Sequence, residues 1–297
     1  MYLKTPLFEG SCTAIVTPYT AQGIDYDRLR KNLEFQYDNG TAAIVVCGTT
    51  GEAATQSQDE HNELVRATVR AVDGRMKVIV GVGSNNTAAA LRNAENAKAE
   101  GADGILMVTP YYNKTSPRGL AEHFTYVADR VEIPMILYNV PTRTGIGLTA
   151  EVYQELSRHP NINGVKEASG DFALIYKTRS LCGDDLTLWS GNDDNTVPMM
   201  AMGAKGVISV AGNIVPAVVT KLCALCLSGE YEEAMGLFAR YNALFSALFA
   251  ETNPIPVKAA MKLMGLDTGI LRLPLTEISD DHLQMLKTVM QDAGLKV

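Results

Sequence analysis

The sequence predicts an α/β fold: a (β/α)8 TIM barrel carrying a C-terminal helical extension. Three observations point there. Eight apolar, β-branched runs recur roughly 20–35 residues apart. Amphipathic stretches with readable helix caps fill the intervals. After about residue 225 the strand-like runs stop and helical patterning continues alone. A chain of 297 residues is long enough for one large barrel, and eight strand–helix units of this length are its pattern.

The runs are CTAIVTP from residue 12, AAIVVCG from 42, KVIVGVG from 77, GILMVTP from 104, PMILYNV from 134, INGVKEA from 162, LTLWSGN from 186 and GVISVAG from 206. Unbroken apolar runs suit strands buried on both faces of a parallel sheet. Between the second and third, SQDE at 57–60 has the form of a capping box, with Ser57 as N-cap and Glu60 at the third helical position. Between the third and fourth, a helix starts near Asn86 and closes on Gly101. The tail reads as three helices, in GEYEEAMGLFARYNALFSALFAE, NPIPVKAAMKLMG and SDDHLQMLKTVMQDAG, with Asn253-Pro254 to Pro256 breaking the first from the second. The expected division is a barrel with the active site over residues 1–225 and a three-helix lobe or barrel cover over 226–297. A doubly wound open sheet is the structural rival. It would usually bring a G-x-G-x-x-G loop; none is present, and GVGSN at 81–85 is too short for one.

Composition narrows the function. The chain is 46% apolar and 20% charged, which suits a globular core, and its net charge of −7 argues against a nucleic-acid footprint. No run approaches the roughly 20 apolar residues of a membrane span, and the start, MYLKTPLFEG, lacks the apolar stretch of a signal peptide. Five cysteines make no small-domain disulfide framework. Cys223 and Cys226 form a C-x-x-C inside an apolar helical run, without a second pair or a nearby histidine, so buried thiols are expected there. A reducing cytoplasm fits this usage.

In such a barrel the functional face is the C-terminal end of the strands. The residues there are GTTGEA from 48, TPYYNK from 109, YNVPTRTG from 138, KEASG from 166 and SGNDD from 190. Lys166 ends an apolar run, where an ammonium is costly to desolvate unless paired. One reading is a Lys166–Glu167 pair. Successive strand residues face opposite ways, which places that pair poorly. The other reading is a nucleophile. At neutral pH only on the order of one unperturbed lysine in a thousand is a free amine, and burial recovers that form. An amine adding to a ketone gives a Schiff base, an electron sink for carbanion chemistry. A proton carrier is then needed beside the nitrogen. Tyr138 ends the neighbouring strand, and parallel neighbours lie about 4.8 Å apart, so tyrosine and threonine hydroxyls are within reach.

Other residues keep two readings. Gly48 and Gly51 flank two threonines, either as a carboxylate site or as a plain turn. Arg143 suits a bidentate carboxylate contact or a loop salt bridge. Asp193 and Asp194 look like a metal pair, or like a helix N-cap; without a nearby histidine or third carboxylate, no metal is expected. His61, His123, His159 and His282 fall in or beside helical segments, where solvated or capping roles are expected.

Taken together, GSCTAIVTPYT, CGTTGEA, VTPYYNK, YNVPTRTG, GVKEASGD, SGNDD, GVISVAGN and NPIPVKAAM resemble the dihydrodipicolinate synthase family over the whole chain. These are pyruvate-dependent class I aldolases, with N-acetylneuraminate lyase among them. The resemblance implies condensation of pyruvate with L-aspartate 4-semialdehyde, on the path to diaminopimelate and lysine, with no metal or organic cofactor. It implies that Lys166 forms the Schiff base, Tyr138 relays protons, and Thr49 links Tyr138 to Tyr112, a residue shared across a subunit interface. It implies that Thr50 holds the pyruvate carboxylate, Arg143 the semialdehyde carboxylate, and that Gly191 and Ile208 shape the pocket. A homotetramer built as a dimer of dimers is implied as well. The alternative is a same-fold aldolase acting on 2-keto-3-deoxy sugar acids or N-acetylneuraminate; GTTGE and the arginine of YNVPTRTG speak for the synthase. The family's lysine-effector positions match Ala53, Ala54, Gln58, His61, Asn85, Ala89 and Tyr111. Alanine at 89 leaves an effector ammonium without a carboxylate, so weak or absent lysine inhibition is expected.

Overall fold

The computed structural model describes residues 4–297; Met1–Leu3, the start of MYLKTPLFEG, lie outside the described residues. Eight parallel strands form a closed barrel: β1 Gly10–Ala14, β2 Ala43–Val46, β3 Lys77–Gly81, β4 Gly104–Val108, β5 Met135–Asn139, β6 Ile162–Glu167, β7 Thr187–Ser190 and β8 Gly206–Ser209. Each pairs with the next in sequence, and β8 returns to β1. The first strand ends earlier than its apolar run. Ile15 still donates to the Val45 carbonyl, but the Val16 amide is taken by the side chain of Asn213. A short antiparallel ladder, Tyr19–Thr20 with Gly23–Ile24, follows β1 and has no forerunner in the sequence reading.

Side-chain alternation explains why these runs are apolar throughout. In β2, Ala43 and Val45 face the bore while Ile44 and Val46 face the helices; in β5, Ile136 and Tyr138 face in while Met135 and Leu137 face out. The bore closes at its base on Phe8 and Trp189, stacked with centroids 4.8 Å apart, the indole N–H donating to the Phe8 carbonyl.

The outer layer is α1 Tyr26–Asp38, α2 Gln58–Val72, α3 Thr87–Ala99, α4 Pro117–Ala128, a single turn α5 Pro141–Thr144, α6 Ala150–Leu156, α7 Phe172–Cys182, α8 Thr196–Ala201 and α9 Pro216–Leu227. The expected starts hold: Ser57 and Glu60 cap each other at the head of α2, and Asn86 caps α3 through the amides of Ala88 and Ala89. Gly101 turns the chain out of α3 with φ +87. Three helices follow the barrel: α10 Tyr231–Ala247, α11 Ile255–Leu263 and α12 Asp280–Asp292. The segment around α11 folds back over the C-terminal ends of the strands, where Thr252, Asn253, Pro254, Pro274 and Leu275 join the lining of the central cavity. Among the described residues no helix is long and apolar enough to cross a membrane.

Candidate active site

A cavity of about 630 Å³ opens at the C-terminal ends of the strands. Its floor is set by strand register. Tyr138 on β5 pairs with Lys166 on β6, and Asn139 with Glu167. Alternation sends successive residues of each strand to opposite faces, so each register pair shares a face. Lys166 points into the bore, buried, with Nζ 4.6 Å from the Tyr138 ring centroid. Glu167 points outward, also buried, and accepts from the Asn139 amide at 3.0 Å, the Tyr153 hydroxyl at 2.7 Å and the Ser169 amide at 2.8 Å. The two side chains are therefore not a pair, and among the described residues Lys166 makes no ion pair. A backbone reason keeps Gly191 beside it. A Cβ there would lie 2.6 Å from that of Ala168 and 3.1 Å from the Lys166 Cγ.

Two ionisable groups of the wall are coupled electrostatically to Lys166, a thiol and a carboxyl. Burial pushes the Cys12 thiol well above its ordinary range, the Lys166 charge opposing it. Asp193 sits fully inside the wall. Burial raises its carboxyl, while hydrogen bonds from the Ser209 hydroxyl and the Ala211 and Val210 amides, and the nearby Lys166, pull it down. This corrects the N-cap expectation. Asp193 does not cap the helix after it; it accepts from the turn after β8, because that turn presents two amides and a hydroxyl together. Among the described residues no group of three or more His, Cys, Asp or Glu is placed to hold a metal ion.

The turn after β2 forms one wall. Gly51 and Ala53 donate to the Gly48 carbonyl at 3.1 and 3.3 Å, and Glu52 donates to that of Thr49 at 3.0 Å. The amides of Thr49 and Thr50 donate to no carbonyl in the turn. Cys47 and Glu52 both adopt left-handed φ, at +55, a conformation residues with side chains seldom hold without outside support. Thr50 is buried and its hydroxyl accepts from Asn253 Nδ2 at 2.9 Å. Arg143, on the α5 turn, lines the mouth and donates to the Asn253 carbonyl at 3.3 Å.

Thr49, Thr50, Tyr138, Arg143, Lys166 and Gly191 thus share one cavity. Ile208 lies beneath it, fully buried in the bore and in register with Cys12. Tyr112 stands apart, 91% exposed, with φ +69. Of the effector positions, Ala53, Ala54, His61 and Tyr111 line the outer part of the same cavity. Gln58 instead donates to Asn62 and Asn93, Asn85 accepts from Asn113 through its carbonyl, and Ala89 lies in the first turn of α3. Two histidines differ from the solvated roles expected of them. His61 is buried against the Gly81 carbonyl at 3.0 Å, and burial lowers its pKa. His123 is buried beside Thr87, its pKa lowered to about 4. Both sit on helix faces turned to the barrel, which a lone histidine in a helical pattern does not reveal.

Sequence reasoning passed over Glu52, Asn253 and Lys258. Lys258 is completely buried and donates to Glu52 Oε1 at 2.8 Å and to the carbonyls of Thr17 and Ile270. A lysine between prolines and alanines gives no local signal of this.

Fold and site define a class: (β/α)8 barrel proteins with a buried lysine at the C-terminal strand ends that, among the described residues, makes no ion pair. Comparison with known proteins narrows it. Residues 7–293 match the model of the dihydrodipicolinate synthetase family, and the chain belongs to that family. A 4-hydroxy-tetrahydrodipicolinate synthase from a Thermoanaerobacter species is 48% identical over 291 residues, 98% of each chain. The solved dihydrodipicolinate synthase of Aquifex aeolicus superposes with a TM-score of 0.96 at 42% identity, covering 98% of this chain and 99% of its own. That of Acinetobacter baumannii, solved complexed with pyruvate, gives 0.94 at 40%, covering 97% and 99%.

Proposed function

We propose that this protein condenses pyruvate with L-aspartate 4-semialdehyde to 4-hydroxy-tetrahydrodipicolinate through a Schiff base on Lys166. The observation that carries the reading is Lys166 itself, a buried lysine that makes no ion pair among the described residues, beside the Tyr138 ring at the floor of an open cavity. The family membership and the relatives' names support the same activity.

The Thr49–Thr50 turn receives the pyruvate carboxylate. The Thr49 and Thr50 amides donate to no carbonyl of the turn, and because Asn253 donates to the Thr50 oxygen, the Thr50 hydrogen is available to an anion. Lys166 Nζ attacks the ketone carbon and water leaves, giving an iminium. Loss of a methyl proton gives the enamine, whose carbon attacks the aldehyde of the semialdehyde. The new amino group then attacks the imine carbon, the ring closes and Lys166 is released. Tyr138 carries protons to and from the nitrogen with Thr49 as its link, and Arg143 holds the semialdehyde carboxylate. The relay's outer member is Tyr112 of a neighbouring copy. Its near-complete exposure on a left-handed residue suits a side chain offered outward; a shared tyrosine implies at least a tight dimer, and the family resemblance a homotetramer built as a dimer of dimers. No cofactor enters the scheme, because the iminium is itself the electron sink. Five buried, unpaired thiols suit a cytoplasmic setting.

Lysine feedback is weak or absent in the same reading. The outer cavity offers an ammonium the amides, hydroxyls and histidine of His61, Ser84, Asn93 and Tyr111. Glu52, a carboxylate that lines the cavity, is taken by Lys258.

The test is reductive trapping. Incubation with pyruvate and borohydride, then digestion, is expected to leave a stable adduct on the peptide containing Lys166. No adduct, or an adduct on another lysine, overturns the mechanism. Turnover with the semialdehyde but not with sialic acid then separates the synthase from the sugar-acid aldolases.

A further inference from the structure

We infer that Lys258, acting through Glu52, and Asn253, acting through Thr50, are positioning residues that hold the Gly48–Glu52 turn in the shape that binds the keto-acid carboxylate. The inference rests on the reading that this turn receives pyruvate.

The Lys258–Glu52 pair is fully buried on both sides. The Lys258 amine is met by three acceptors: Glu52 Oε1, the Thr17 carbonyl and the Ile270 carbonyl. The second Glu52 oxygen accepts from the Arg272 amide at 3.0 Å. A well-packed apolar pair of similar volume is often as stable as a buried ion pair, or more so. Stability alone therefore gives no reason for charge here, whereas directional bonds to one turn do.

The turn needs such support. Glu52 closes it with φ +55, a conformation that persists when its surroundings over-determine it. Glu52 is fixed by its side chain from α11 and by its own amide to the Thr49 carbonyl. Two residues earlier Thr50 is fixed by Asn253. Both tethers come from one stretch of chain that folds back over the barrel, and the Asn253 carbonyl also receives Arg143. The keto-acid turn and the arginine at the mouth are thereby registered against a single segment.

The experiment is the double variant Glu52→Leu with Lys258→Met, which removes both charges together. Borohydride trapping on Lys166 is followed against pyruvate concentration, alongside kcat and the melting temperature. The expected result is a folded enzyme whose half-saturating pyruvate rises roughly tenfold, about the loss of one hydrogen bond to a charged ligand. At saturation kcat is little changed, the split produced when ground-state binding is lost. Asn253→Ala, which alters no charge, is expected to raise half-saturation several-fold in the same way and carries the test alone if the double variant does not fold. Half-saturation unchanged within twofold in the folded variants, or kcat falling with half-saturation unmoved, overturns the inference. Absence of any trap in the unaltered enzyme overturns the reading of the site and this inference with it; a normal trap with unmoved variants overturns the inference alone.

Discussion

The bore and the C-terminal clamp each bury one lysine, and the two are partnered in opposite ways. Lys166 lies among Tyr138, Cys12 and Trp189 and, among the described residues, makes no ion pair, facing a cavity. Lys258 lies beneath Tyr19, its Nζ 4.7 Å from the ring centroid, with an acceptor for each of its three protons. Burial is common to both, so burial by itself does not make a reagent of a lysine. What separates them is whether the nitrogen's bonding capacity is already consumed. A nitrogen with three good acceptors is held by them. A nitrogen over an aromatic face, beside open volume, is available to a carbonyl carbon.

Removing each lysine is the strongest way to break that comparison. Lys166→Ala is expected to lose turnover by on the order of 10⁴-fold or more, as when a nucleophile is deleted, with trapping abolished and melting little changed. Lys258→Met leaves Glu52 buried and unpaired, which costs about 3–5 kcal/mol; denaturant unfolding measures it. Equal loss of stability in both variants would erase the distinction. Within the bore, Tyr138→Phe is expected to lower kcat by about 10²–10⁴-fold, the range for a proton-transfer group. Borohydride should still capture pyruvate on Lys166 after long incubation.

The bore is legible in the sequence for a physical reason. Strands buried on both faces must be apolar throughout, so eight such runs are visible without any tertiary knowledge. A charged residue ending one of them stands out against that background. The clamp carries no such contrast. Lys258 occupies a helix in which lysine is unremarkable, and its partner lies 206 positions away. The same holds for Asp193, whose acceptors are filled by a turn 17 and 18 residues onward. Local pattern reports what a segment is; it does not report which distant loop it will touch. The burial of His61 and His123 escapes for the same reason.

Arg143 lies where the two regions meet, since it lines the cavity and donates to the clamp's Asn253. If its chief partner is substrate, Arg143→Ala should reduce kcat/KM for the semialdehyde about 10- to 100-fold, the range for a lost charged hydrogen bond. Trapping of pyruvate should be unaffected. A parallel fall in pyruvate trapping would instead make Arg143 a member of the clamp.

The smallest expected effect divides the clamp itself. At its outer end Arg272 grips Glu60 and lies 4.2 Å from the Tyr19 ring centroid. The Arg272 hydrogen bond holds the Glu60 carboxyl at about 2, below its ordinary 4.5. Between those values the unfolded chain binds a proton that the folded chain does not, so stability rises with pH across that window. The contribution is complete above about pH 4.5 and is lost as pH falls through 2. Both groups are partly exposed, so screening limits it to about 1 kcal/mol or less, about 2 °C in Tm. The difference in melting between the unaltered protein and Arg272→Met should therefore shrink as pH falls from 4.5 to 2. Salt should shrink it too, whereas the deficit of Lys258→Met, shielded from ions, should persist at high salt. A difference that stays constant with pH and salt would mean that Arg272 acts through its contact with Tyr19 and not through its charge on Glu60.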